Sequence, residues 1–160
     1  MLVYIADNFT HYFSFLNLFS YISFRTGGAI LTALFFSLIF GESIIKFLSS
    51  FQPQGQPIRL DGPERHIIEK AGTPTMGGIL ILSSVLISFI IWSDLKNIYV
   101  WITLLSTFLF GLIGTIDDYK KTRSNKSDGL KISTRIFFQI LAGFIIVYLI
   151  YFSLPQELKT

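Results

Sequence analysis

Four apolar stretches, each bounded by polar or charged residues, set the pattern of this chain. The first runs from Thr26 to Gly41 and can extend through Glu42 and Lys46 to about Ser49. The others cover Met76 to Ser93, Asn97 to Ile116 and Ile136 to Leu154. Each approaches or reaches the ~20 residues that a helix needs to cross a bilayer. The pattern predicts an all-α fold, a polytopic transmembrane helical bundle with about four spanning helices. The spans are expected near 25–49, 76–93, 97–116 and 135–154, joined by polar loops at 50–75 and 117–134, all within one membrane domain over 1–160. Residues 1–24 break the pattern. They are rich in Phe and Tyr, but Asp7, Asn8, His11 and Asn17 interrupt them. They lack the basic start and small-residue cleavage site of a signal peptide. An aromatic segment lying in the membrane interface is the expectation.

Composition strengthens the membrane assignment. The chain is 51% hydrophobic, 16% aromatic and only 14% charged, against roughly 25% charged in soluble domains. Cysteine is absent, which removes disulfides and thiolate ligands from consideration. The net charge of +3 is modest, and the basic residues cluster beside the spans. That distribution predicts no nucleic-acid partner. The lysines and arginines also give an orientation. Lys120, Lys121, Arg123, Lys126, Lys131 and Arg135 lie between the third and fourth spans. Arg59, Arg65 and Lys70 lie between the first and second, and the remaining turn holds only Lys96. The positive-inside rule puts both long loops in the cytoplasm. They can therefore share one site.

The candidate chemistry sits in those loops. Asp117 and Asp118 follow the third apolar stretch directly and precede Tyr119-Lys120-Lys121-Thr122-Arg123. Carboxylates at a helix C-terminus face the negative end of the macrodipole, so a nearby cation is needed. A divalent metal or the flanking lysines would supply it. Alternatively the pair marks the end of a span and nothing more. Successive residues on a helix point about 100° apart, which predicts different tasks for the two acids. The other loop ends in Lys70-Ala71-Gly72-Thr73-Pro74-Thr75-Met76-Gly77-Gly78. Thr73 and Pro74 suit an N-cap and first helical position for the second span. Free backbone N–H groups there, with Lys70 beside them, would bind an anion; the glycines could equally serve close helix packing. Within the spans, Glu42 and Lys46 are spaced to pair, and Gln139 is expected to hydrogen-bond to a neighbouring helix. Trp92, Tyr99 and Trp101 fit an aromatic belt at the non-cytoplasmic turn.

The stretch from Lys70 to Gly78, followed some forty residues later by Asp117-Asp118-Tyr119-Lys120-Lys121, resembles the phospho-N-acetylmuramoyl-pentapeptide-transferases. Asp61-Gly62-Pro63-Glu64 and Gly129-Leu130 also match that pattern, and the resemblance covers about residues 24 to 154. It implies transfer of phospho-N-acetylmuramoyl-pentapeptide from UDP-N-acetylmuramoyl-pentapeptide to undecaprenyl phosphate, with Mg2+, giving lipid I and UMP. It implies catalytic roles for Asp117, Asp118 and Lys121, contacts to the nucleotide substrate from Lys70 and Thr75, and leaves the metal ligands unassigned. A bacterial inner-membrane location, a place in peptidoglycan synthesis and a homodimer would follow. The sister enzymes that transfer N-acetylglucosamine phosphate to a polyprenyl phosphate are the alternative within the superfamily. A non-catalytic four-helix membrane subunit is the alternative outside it. Family members have about ten spans, and their later aspartate motifs and histidine-rich loop have no counterpart here; His11 and His66 are the only histidines. The chain is expected to be the N-terminal part of such an enzyme, inactive alone.

Overall fold

The computed structural model describes residues 1–10, 13–51, 76–124 and 129–155. All the regular structure among them is helical. Helix α1 spans Leu2–Phe9, a 3-10 helix spans Ser14–Ser20, and α2 spans Ile22–Phe51. Then come α3, Gly78–Trp92, α4, Ile98–Ser124, and α5, Ile132–Ser153. Helices α2, α4 and α5 are each long and apolar enough to cross a membrane. Their side chains mostly face outward: Phe144, Phe152 and Leu38 are among many large apolar groups left exposed. A helix can carry that surface into lipid because its backbone hydrogen bonds are satisfied internally.

The helices pack in chain order, α2 on α3, α3 on α4 and α4 on α5. One stripe of α3, Leu80, Ser84, Ser88 and Trp92, repeats every four residues and lies on one face. Leu80 approaches Gly41 of α2, and Trp92 covers Gly28. Ser84 and Ser88 are buried between them and bond back to the carbonyls of Ile81 and Val85. Small residues in such a stripe let two helices approach closely in lipid. A side chain at Gly28 would run into the Trp92 ring, whereas Gly27 faces open space. Gly28→Ala should therefore destabilise the bundle by about 1–3 kcal/mol through overpacking. Gly27→Ala should leave it unchanged or slightly firmer, since Ala favours helix over Gly. Unfolding of both variants in detergent, followed by circular dichroism, checks the pair.

The aromatic N-terminal segment is tied to the far end of α3. Phe19 stacks on Trp92 at 5.6 Å and Phe24 meets the same ring edge-on at 5.9 Å. Lys96 lies over the Tyr4 ring at 5.1 Å. The turn from α3 to α4 is built from its own polar side chains. Asp94 accepts the Lys96 N–H at 3.1 Å, and Asn97 accepts the Tyr99 N–H at 2.9 Å as the cap of α4. Trp101 closes the turn by donating its indole N–H to the Leu95 carbonyl.

Three features depart from the sequence pattern. Helix α4 does not stop with its apolar run at Ile116 but continues to Ser124. Residues 117–124 contain no Gly or Pro, and Lys121 and Arg123 complement the dipole in the last turn. Helix α3 opens at Gly78, with Gly77 as its cap residue, and not at Thr73-Pro74. Met76 has φ 74°, a left-handed conformation that interrupts any helix arriving from residue 75. Thr73 and Pro74 themselves lie outside the described residues. Finally, Gln139 makes no hydrogen bond to another helix among the described residues, while Glu42 and Lys46 do pair, at 3.7 Å and well exposed.

Candidate active site

The end of α2, the start of α3 and the end of α4 converge at one end of the bundle. A cavity of about 550 Å³ there is lined by Leu48, Met76, Thr115, Tyr119 and Arg123. The start of α5 reaches the same end through Leu130, which contacts Asp117. The described residues that flank the two long polar stretches therefore lie at one end of the bundle.

Asp117 is buried at 6% exposure, unusual for a carboxylate. Its two oxygens have separate partners. Oδ1 accepts the Leu130 backbone N–H at 2.7 Å, and Oδ2 pairs with Lys121 Nζ at 2.6 Å. Lys121 is one helical turn further along α4, the i,i+4 spacing that brings side chains together. Leu130 immediately precedes Lys131, the cap residue of α5, so Asp117 also faces the positive end of that helix. The cation that an acid near the end of α4 requires is thus found within the chain. Gly129 lies directly against this carboxylate, and any side chain on it would collide with Asp117 and Lys121.

Asp118 points elsewhere. With 40% of its side chain exposed, it lines a cleft of about 380 Å³ between α3 and α4. Leu82, Val85, Gly111 and Thr115 form apolar walls below it, and Met76 and Gly78 stand opposite. Lys121 Nζ reaches Asp118 Oδ1 at 3.4 Å, a longer contact than its pairing with Asp117. The two adjacent acids share one lysine but face different neighbours.

The structure thus brings together Asp117, Asp118 and Lys121. Lys70 and Thr75 lie outside the described residues, as do Asp61 and His66. No group of three or more His, Asp or Glu side chains converges on a metal position among the described residues. Mg2+ ordinarily takes one or two carboxylates plus waters and phosphate oxygens. Asp118, open to the cleft, fits such a set; Asp117, with both oxygens engaged, fits it poorly. Gly129 and Leu130 were visible in the sequence only as a matching dipeptide. Their contact with Asp117 crosses 13 residues and follows no local periodicity.

Comparison with known proteins bears on the same residues. The family model for phospho-N-acetylmuramoyl-pentapeptide-transferase signature 1 matches residues 70–82. A phospho-N-acetylmuramoyl-pentapeptide-transferase from Granulibacter bethesdensis is 48% identical over 145 residues, covering 91% of this chain and 40% of its own. One from Maricaulis maris is 52% identical over 117 residues, 73% of this chain and 32% of its own. This chain belongs to that family. A third transferase, from Gluconobacter oxydans, is 45% identical over 155 residues, 97% of this chain and 43% of its own. The chain spans about two-fifths of the length of the Granulibacter transferase. Within the family signature, Met76 and Gly78 to Leu82 open α3, and several of them form the wall opposite Asp118.

Proposed function

We propose that this chain carries one wall of the active site of a phosphoglycosyl transferase of the bacterial inner membrane. The donor is UDP-N-acetylmuramoyl-pentapeptide and the acceptor undecaprenyl phosphate. An oxygen of the lipid phosphate attacks the sugar-side phosphorus of the donor pyrophosphate. The bond from that phosphorus to the oxygen bridging to UMP breaks, leaving lipid I and UMP. Such transfers are catalysed mainly by positioning and charge neutralisation. The observation that carries the proposal is that Asp118, which Lys121 reaches at 3.4 Å, lines an apolar cleft together with signature residues from Met76 to Leu82.

In this reading Asp118 receives the proton of the lipid phosphate or holds Mg2+, and Lys121 offsets negative charge on the transferring phosphate. Mg2+, when bound, would neutralise the donor pyrophosphate. Lys70 and Thr75 contact the nucleotide. Both polar loops are cytoplasmic, where the nucleotide substrate is. The product serves peptidoglycan synthesis, and through it cell shape and division; assembly as a homodimer belongs to the same proposal. The remaining part of the site lies in the relatives' sequence beyond the stretch that this chain matches.

The test joins this chain to the remaining three-fifths of the Granulibacter relative. Purified chimera, given Mg2+, undecaprenyl phosphate and UDP-N-acetylmuramoyl-pentapeptide, should release UMP and form lipid I. UDP-N-acetylglucosamine should not replace that donor, and the chain by itself should give no turnover above a mock-membrane control. Preference for UDP-N-acetylglucosamine would move the protein to the sister class. Turnover by the chain alone would place a complete site within these residues.

A further inference from the structure

The end of the bundle away from Asp117 and Asp118 holds a further cavity, where the start of α2 meets the turn from α3 to α4. Its volume is about 410 Å³, within the ~300–1,000 Å³ of cavities that take small molecules. Ile22, Phe89 and Val100 give it an apolar side, while Arg25, Trp92 and Asp94 bring polar groups to it. Those groups are poorly matched within the chain. Arg25 is half-buried, yet its guanidinium makes no hydrogen bond or ion pair among the described residues. Asp94 accepts the Lys96 N–H at 3.1 Å and likewise has no ion pair among the described residues. The benzo edge of Trp92 rests on Gly28. Its indole N–H is buried without a hydrogen-bond partner among the described residues. Buried indoles ordinarily find an acceptor, and a buried donor without one is costly. The Met1 ammonium, at the same end, is bonded to the Ile90 and Ser93 carbonyls and is not part of the cavity wall.

We propose that this cavity seats a zwitterionic phospholipid, with its phosphate on Arg25 and the Trp92 N–H, its ammonium on Asp94, and its glycerol and chains along Ile22, Phe89 and Val100. A guanidinium presents paired N–H donors that match phosphate oxygens. Trp92, with Phe19 and Phe24 around it, stands where aromatic rings settle at headgroup level. Lipid phosphate is therefore the anion within reach. A phosphoethanolamine headgroup meets both charges of the cavity. A phosphoglycerol headgroup satisfies Arg25 but sets a second negative charge against Asp94. A soluble phosphodiester leaves the apolar side in water. Such a lipid binds whether or not the chain takes part in transfer.

The experiment titrates the purified, delipidated chain in detergent with dioleoyl phosphatidylethanolamine, dioleoyl phosphatidylglycerol or dioleoylglycerol. Native mass spectrometry reads the fraction carrying one lipid. Phosphatidylethanolamine should bind at least ~10-fold more tightly than dioleoylglycerol, the order of one hydrogen bond to a charged group. It should also bind several-fold more tightly than phosphatidylglycerol. Equal binding of phosphatidylethanolamine and either competitor by the wild type would overturn the proposal without any variant. Glycerophosphoethanolamine, the headgroup without its chains, should not compete at the same concentration. Competition would make the occupant a soluble phosphodiester instead of a lipid.

Variants then place the lipid. Arg25→Gln and Trp92→Phe, which keep much of the bulk and, at 92, a ring for Phe19, should each weaken phosphatidylethanolamine binding by about 10-fold. Asp94→Asn should bind phosphatidylethanolamine and phosphatidylglycerol alike. Lys46→Gln, at the other end of α2, should leave every affinity unchanged, with circular dichroism as the check on folding. Wild-type affinity in both Arg25→Gln and Trp92→Phe would put the lipid elsewhere and overturn the proposal. The chimera should keep the preference for phosphatidylethanolamine. Its loss there would assign the cavity to the relatives' later sequence and overturn the proposal as well.

Discussion

Asp118→Asn, in the chimera completed with the remainder of the Granulibacter relative, is expected to lower kcat by at least ~100-fold, the lower range for lost acid–base or charge stabilisation. Asparagine keeps the size of aspartate but can neither take a proton from phosphate nor hold a divalent cation firmly. The KM for the nucleotide should move far less, because the proposed nucleotide contacts, Lys70 and Thr75, are untouched. Folding should be unaffected: Asp118 is partly exposed near the end of α4, where an amide suits the helix dipole at least as well as a carboxylate. Asp117→Asn should cost less activity, since its amide oxygen can still accept from Leu130. Initial rates of UMP release, with yield and detergent melting temperature as controls, decide the matter. Wild-type kcat in the Asp118 variant would reduce that residue to a mark of where the span ends.

The second large effect is one of sidedness. The chain contains no cysteine, so single cysteines can be introduced without background. Lys96 and Lys120 are both exposed and lie toward opposite ends of α4, about 24 residues apart along a rod that rises ~1.5 Å per residue. A membrane-impermeant thiol reagent applied to intact cells should label Lys96→Cys fully. Lys120→Cys should be labelled only after lysis. The reverse result would invert the proteins's orientation and remove the carboxylates from the compartment that holds nucleotide sugars. Labelling of both in intact cells would exclude a spanning α4.

The spans and the acid pair were legible in the sequence because hydropathy and charge are local properties. Helices α2, α4 and α5 coincide with long uncharged runs, and Lys70 to Gly78 carried the family resemblance without any knowledge of its shape. What hydropathy could not give was the end of α4. It registers the change from Ile116 to Asp117 as a boundary, whereas helix formation depends on backbone preference, which continues unbroken to Ser124. The start of α3 was missed for a related reason. Thr73-Pro74 has the composition of a helix start, but α3 opens four residues later, at Gly78, just after the left-handed Met76. The separate surroundings of Asp117 and Asp118 could be anticipated only as a difference in direction. Which of them met Leu130 and which met the cleft depended on how α5 and α3 pack on α4, and no periodicity in the chain encodes that.

The shortness of α3 has its own consequence for where reactants could meet. Its 15 residues extend only ~22 Å, against a hydrocarbon layer of ~30 Å. Trp92, clasped by Phe19 and Phe24, marks one end of that strut, and aromatic rings of this kind settle at headgroup level. The opposite end, at Met76 and Gly78, then stops several ångströms beneath the other surface while α4 carries on past it. The cleft lined by Asp118 opens beside that end of α3. On the transferase reading proposed above, that depth would bring the donor's phosphates and the lipid phosphate to one level.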